Sequence, residues 1–175
     1  MQYSILSLLA LTLLVAVSLA LLLPKPDPVL LMLNRTRRMS ISELRDMPAG
    51  YLRSVAIGQC HPSICNSGFA ECFYHSESFD YLVPCVEFYE RLNCTKMANI
   101  FRSVIIAIRE QHGGLEGFIP DDYPKSFAAI STDLSELDFL YYEELKNLPT
   151  ANNKEANLPW SAIGYYMDRF PEDFN

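Results

Sequence analysis

From Ile5 to Leu23 the chain runs through 19 consecutive residues without a charge, interrupted only by Ser7, Thr12 and Ser18. A helix of about 20 apolar residues spans the roughly 30 Å hydrocarbon core of a bilayer, so this run is long enough to cross one. A cleaved signal peptide has a shorter apolar region, a basic start and a small-x-small exit. The start here, Met1-Gln2-Tyr3-Ser4, carries no basic residue. Ser18-Leu19-Ala20 offers a cleavage point, but three leucines continue the run beyond it. We therefore expect a retained transmembrane anchor over residues 1–23. The alternative is a secreted or lumenal disulfide-rich enzyme or inhibitor, released after Ala20.

Two rules disagree on which side the remainder folds. The basic residues near the run all follow it, at Lys25, Arg35, Arg37 and Arg38, which by the positive-inside rule puts the body in the cytosol. Against this stand Cys60, Cys65, Cys72, Cys85 and Cys94, packed into 35 residues, with sequons at Asn34 and Asn93. Clustered cysteines suggest a disulfide framework in an oxidising compartment, and we expect the domain to face a lumen or the exterior. Two disulfides and one thiol leave fifteen pairings open. Cys85 and Cys94 are expected to pair elsewhere rather than with each other, because nine helical steps separate them by about 13 Å.

Charge is unevenly spread. Residues 24–53 hold six Lys or Arg against three acids, whereas residues 54–175 hold eight against eighteen. Basic residues beside a membrane suit anionic headgroups, and the acidic remainder argues against nucleic acid as a partner.

The pattern predicts a mainly α fold: the N-terminal anchor, a proline-containing basic spacer over residues 24–39, and a small, disulfide-stabilised, mostly helical ectodomain over 40–175. Pro24, Pro26 and Pro28 suggest an extended spacer, and Val29–Leu33 a buried strand or a segment on the bilayer. Ser40 and Glu43 fit a capping box, with Pro48 and Gly50 ending that short helix. Residues 60–85 suggest a crosslinked loop rich in aromatics, and Pro84 the start of a helix through Asn93. The strongest signal is a helix from Thr95 to the stop at Gly113 and Gly114, with Met97, Ile100, Phe101, Val104, Ile105 and Ile108 on one face. A second helix, capped by Ser131 or Thr132, would bury Leu134, Leu137, Tyr141, Leu145 and Leu148 and close at Pro149. A third, from Pro159, would bury Trp160, Ile163 and Met167.

Catalytic constellations are hard to find. The cysteine gaps contain four, six, twelve and eight residues, with no Cys-x-x-Cys, which disfavours structural zinc and thiol-disulfide exchange. His61, His75 and His112 have no nucleophile motif around them, and Gly113, Gly114 and Gly117 lack the Lys-Ser/Thr of a phosphate loop. No catalytic residue, metal, cofactor or small-molecule substrate is expected. The acids Asp133, Glu136, Asp138, Glu143 and Glu144 fall mostly off the apolar stripe of their helix. They form a solvated face or a dock for a basic partner, and Phe69, Phe73, Tyr74, Phe79 and Tyr81 are core residues or protein-contact anchors.

An anchor followed closely by Lys25, Arg35, Arg37 and Arg38, then a small cysteine-bearing domain, resembles the envelope proteins of baculovirus occlusion-derived virions. In particular, LLMLNRTRRMSISELRDMPAGYL looks like the membrane-proximal region of the per os infectivity factors, most like the fourth of that group. The resemblance implies a non-enzymatic subunit of a hetero-oligomeric envelope complex needed for oral infection of midgut cells. It implies residence in the virion envelope, with passage through the host inner nuclear membrane or endomembranes.

Overall fold

The computed structural model describes residues 12–14, 27–72, 80–112, 123–149 and 158–175. Of the apolar run only Thr12–Leu14 falls among them, in helical conformation; the rest of the expected anchor, like Lys25, lies outside the described residues. Among the described residues no helix is long and apolar enough to cross a membrane, and every regular element is a helix.

The chain enters the domain through α1, Pro28–Thr36. Of the two readings of Val29–Leu33, a buried strand or a segment on the bilayer, the strand is overturned: Asp27 and Pro28 form a helix start signal, in which the Asp27 carboxylate accepts from Val29 N at 2.8 Å and proline at the first position loses no bond. Helix α2, Ile41–Arg45, has the full capping box: Glu43 N donates to Ser40 Oγ and Ser40 N donates to Glu43 Oε2 at 2.6 Å.

Helix α3, Ala49–Cys72, overturns two expectations. Gly50 sits inside it rather than ending α2, and the expected crosslinked loop is helical through Cys60 and Cys65 to Cys72. Val55, Ala56, Ile57, Cys60 and Ile64 are buried along it, so packing outweighs the low helix propensity of Gly50, Gly58, Pro62 and Asn66. Its one break is Gly68, at φ +82° and ψ 177°, a conformation that L-residues rarely adopt.

Helix α4, Leu82–Arg91, leads through a left-handed Asn93 (φ +59°) into α5, Thr95–His112. All six residues of the predicted α5 stripe are buried. Helix α6, Tyr123–Leu145, begins well before the expected cap, so Ser131 and Thr132 lie inside it. Its inner face buries Leu134, Tyr141 and Leu145, with Leu148 just beyond and Leu137 half-buried. Helix α7, Leu158–Arg169, buries Ala162, Ile163 and Tyr166, with Trp160 and Met167 half-buried.

The bundle is centred on α3 and α5. Helix α5 packs between α4 and α6, and α3 packs on α4, α6 and α7, with α1 laid across α3 and α7. Phe69, from the expected loop, is fully buried and meets Phe101 and Tyr141 edge-on at ring distances of 5.3 and 5.4 Å. Tyr81 is buried as well, whereas Phe73, Tyr74 and Phe79 lie outside the described residues. A final 3₁₀ turn, Pro171–Phe174, is clasped to the bundle. Asp173 takes Arg53 of α3 at 3.1 Å, Arg91 of α4 at 3.0 Å and the Tyr166 hydroxyl of α7 at 2.5 Å.

Candidate functional site

Helix α6 has two opposed characters. Its inner face is core, but three to four residues apart on the outer face stand Glu136, Phe139, Leu140 and Glu143, all exposed; Phe139 is 65 % exposed. Large apolar side chains left in water at this spacing form a stripe, which a scatter of single residues does not. Beside the stripe lies a groove of about 660 Å³ between α5 and α6, with Ile100, Leu137, Phe139 and Leu140 among its walls and Glu143 and Glu144 at its rim. Lys146 pairs with Glu143 at 2.9 Å and Lys96 with Glu144 at 3.7 Å. The Lys146–Glu143 pair is exposed on both sides, weak and exchangeable, contributing about 0–1 kcal/mol, whereas Glu144 is half-buried under an exposed Lys96.

The outer face is held in place from behind. Where Gly68 breaks α3, the Phe69 N–H points out of the helix and donates to Asp138 Oδ1 at 2.7 Å. Burial pushes the Asp138 carboxyl above its usual range, and the Phe69 bond pulls it back. The Tyr142 hydroxyl donates to the carbonyls of Cys65, at 2.7 Å, and Ile64, at 3.1 Å. Of the acids noted in the sequence, Asp138 is thus a structural fastener, while Glu136, Glu143 and Glu144 belong to the surface; the side-chain setting of Asp133 is outside the described residues.

One cluster has the composition of a nucleophile site. Cys65 Sγ lies 3.5 and 3.4 Å from the two ring nitrogens of His61, and His61 Nδ1 is 2.6 Å from the Tyr141 hydroxyl. Desolvation lowers the His61 pKa to about 4 and raises that of the Cys65 thiol. Both groups are therefore neutral at pH 7. A sulfur nearly equidistant from both nitrogens faces the C–H between them or the ring plane rather than one lone pair, and Nδ1 is already engaged by Tyr141. The arrangement lacks the aligned base and the thiolate that cysteine nucleophiles use. His75 and the side chain of His112 lie outside the described residues.

The cysteines are placed differently from expectation. All five are free thiols. Cys60, Cys72 and Cys85 are buried together, with Cys72 Sγ 3.7 Å from the Cys60 carbonyl and the Cys72 and Cys85 thiols within hydrogen-bonding reach of Cys60. The bend at Gly68 returns Cys72 to Cys60, and α4 supplies Cys85. They act as small core residues, so the disulfide framework expected from their spacing is absent; the helix expected between Cys85 and Cys94 is present as α4. Among the described residues no group of three or more ligands could hold a metal ion. Asn34 and Asn93 are exposed, as are Arg35, Arg37 and Arg38, with Arg35 also lying 5.9 Å over the Tyr51 ring.

A model of the DMP19-like protein family matches residues 45–160, about two-thirds of the chain. No curated protein and no solved structure matches it. The matched segment opens at Arg45 in α2, so α1 and everything before it lie outside the match.

Proposed function

The chain belongs to the DMP19-like protein family, and from the surface it carries we propose that it is a non-enzymatic protein-binding module, tethered to a membrane by residues 5–23, that presents the outer face of α6 to a basic partner protein. The observation behind this reading is the stripe of Phe139 and Leu140 flanked by Glu136, Glu143 and Glu144. Apolar contact supplies the buried area, while carboxylates around it favour partners bearing Lys or Arg and repel acidic ones. The excess of eighteen acids over eight bases in residues 54–175 extends the same preference over the domain. The neutral, desolvated His61–Cys65 pair supports a binding role over cysteine catalysis.

The tether rests on the length and apolarity of residues 5–23. An oxidising compartment is expected only if the cysteines are crosslinked, and the buried thiols of Cys60, Cys72 and Cys85 weaken that expectation. The basic residues after the run then decide, and they favour the cytosolic side. The envelope-complex reading is a narrower version with the domain outside; it stands on the resemblance in plan of anchor, basic residues and cysteine-bearing domain and on residues 30–52, and the DMP19-like match lends it nothing.

Native mass in mild detergent tests the binding role. We expect the chain to run with a second polypeptide, and Phe139→Ser with Leu140→Ser to return it to a single chain of 19.9 kDa plus detergent. A wild-type protein that is monomeric from its native membrane would refute the proposal. Protease added to intact virions or sealed right-side-out vesicles separates the two sides: a domain protected until detergent is added lies on the cytosolic side, and one digested at once supports the envelope version.

A further inference from the structure

We propose that α1 lies on an anionic bilayer surface, with Leu30 and Leu31 at the headgroup boundary and Arg35, Arg37 and Arg38 on lipid phosphates, so that the domain is held against the membrane instead of swinging from it. The inference rests on the tether proposed above and adds a docking face and a lipid chemistry to it.

Reach comes first. Only residues 24–27 separate the end of the apolar run from Pro28, and even fully extended they span no more than about 18 Å. Helix α1, nine residues long, adds about 14 Å. A membrane in which residues 5–23 are embedded is therefore never far from any part of α1.

The helix has a face to offer. Its inner side is taken, since Val29, Met32 and Thr36 are buried against the bundle. Close approach of α1 to α3 is allowed by Gly58, where a Cβ would come 3.2 Å from Leu33 Cδ2. On the outer side Leu30 and Leu31 remain 57 and 53 % exposed, followed by Asn34, Arg35, Arg37 and Arg38, all exposed. The exposed side thus offers both contacts a bilayer interface takes, apolar side chains for the acyl boundary and arginines for the headgroups. The nearest acid, Asp27, is engaged as the helix cap, and residues 24–53 carry six basic against three acidic side chains. Within a Debye length of about 8–10 Å such an excess is drawn to phosphatidylserine-type headgroups. The cytosolic leaflet, the side favoured by the same basic residues, is the one that carries them.

Trp160, the single tryptophan, shares a shallow cleft of about 250 Å³ with Leu30 and Leu33, so it reports on this face. The full chain is reconstituted into vesicles of phosphatidylcholine alone and of an equal mixture of phosphatidylcholine and phosphatidylserine. Trp160 is then quenched from water by neutral acrylamide and from the bilayer by lipid brominated near the headgroup. Docking predicts that acrylamide quenching falls about twofold or more on the mixed vesicles, that bromine quenching appears there, and that high salt reverses both. Replacing Leu31 by Ser, or Arg37 and Arg38 by Gln, should restore the values seen on phosphatidylcholine; these side chains are exposed and lie outside the cleft that Trp160 shares with Leu30 and Leu33, so the fold and the probe's cleft are unaffected. Carbonate extraction of the same vesicles reads the tether separately. A chain retained in the membrane whose quenching ignores phosphatidylserine overturns the docking alone, and a chain released by carbonate overturns the tether and the docking with it.

Discussion

The bend at Gly68 fixes how α6 presents its outer face, and its cost can be worked out. At φ +82° an alanine is strained by about 1–3 kcal/mol. Its Cβ would also stand 2.5 Å from Asp138 Oδ2, so the carboxylate must rotate and give up the 2.7 Å bond from Phe69 N. A hydrogen bond to a charged group contributes about 1.5–3 kcal/mol. Gly68→Ala should therefore destabilise the domain by about 2.5–6 kcal/mol, and Asp138→Ala alone by about 1.5–3 kcal/mol. In the Gly68→Ala background the bond is already lost and the clash is relieved, so Asp138→Ala should cost close to nothing. The cycle thus predicts a coupling of about 1.5–3 kcal/mol between the two sites. Urea unfolding followed by circular dichroism, with equal slopes for the four proteins, measures it. Effects that add to within about 0.5 kcal/mol would mean that the carboxylate does not hold the bend.

Further outcomes follow from buried groups. Ser54 is fully buried and, among the described residues, its hydroxyl has no hydrogen-bond partner; Ser54→Ala should raise stability by about 1 kcal/mol in the same melts. His61 takes a proton near pH 6.5 when unfolded but only near 4 when folded. Between those values the unfolded chain binds more protons, so stability should fall as pH drops from about 6.5 to about 4. Allowing for the partial exposure of His61, the loss is about 1–2 kcal/mol, and His61→Gln should remove it. Asp173 is pushed up by burial but held below the usual carboxylate range by Tyr166, Arg91 and Arg53. Its stabilisation is present above the ordinary aspartate value and should be lost only as pH falls below it; Asp173→Asn would remove that acidic step. Thiol titration in denaturant without reductant should count five cysteines, with Cys65 and Cys94 reacting first in the folded protein because they alone are half-exposed; fewer than five would restore a disulfide.

Periodicity in the sequence was informative where one face of a helix alone is apolar. The α5 stripe from Met97 to Ile108 is buried as read, and so are Leu134, Tyr141 and Leu145 of α6, because a 3.6-residue repeat has one structural solution. Residues 60–72 were illegible for the opposite reason. Their Gly, Pro, Asn and Ser residues signal turns locally, and only contact with Phe101 and Tyr141 makes helix the better choice there; local propensity carries no term for that packing. The cysteines misled because spacing cannot separate a disulfide framework from thiols used as small core residues. On α6 the acidic face was visible in the sequence, but the exposure of Phe139 and Leu140 was not, since both lie close enough to Tyr141 to pass for core. Asp138 could not be told from its acidic neighbours until the bend it fastens was known.

Whether α6 is a contact surface for another protein can be read from a photo-crosslinking residue placed at Phe139 in the full chain in its native membrane, with the same residue at Arg169, on a different helix, as the control. We expect an adduct from the Phe139 site with one other polypeptide, rich in Lys or Arg where it is joined, that disappears when Glu136 and Glu143 are replaced by Lys. No adduct from that site, or an equal yield from both sites, would contradict it.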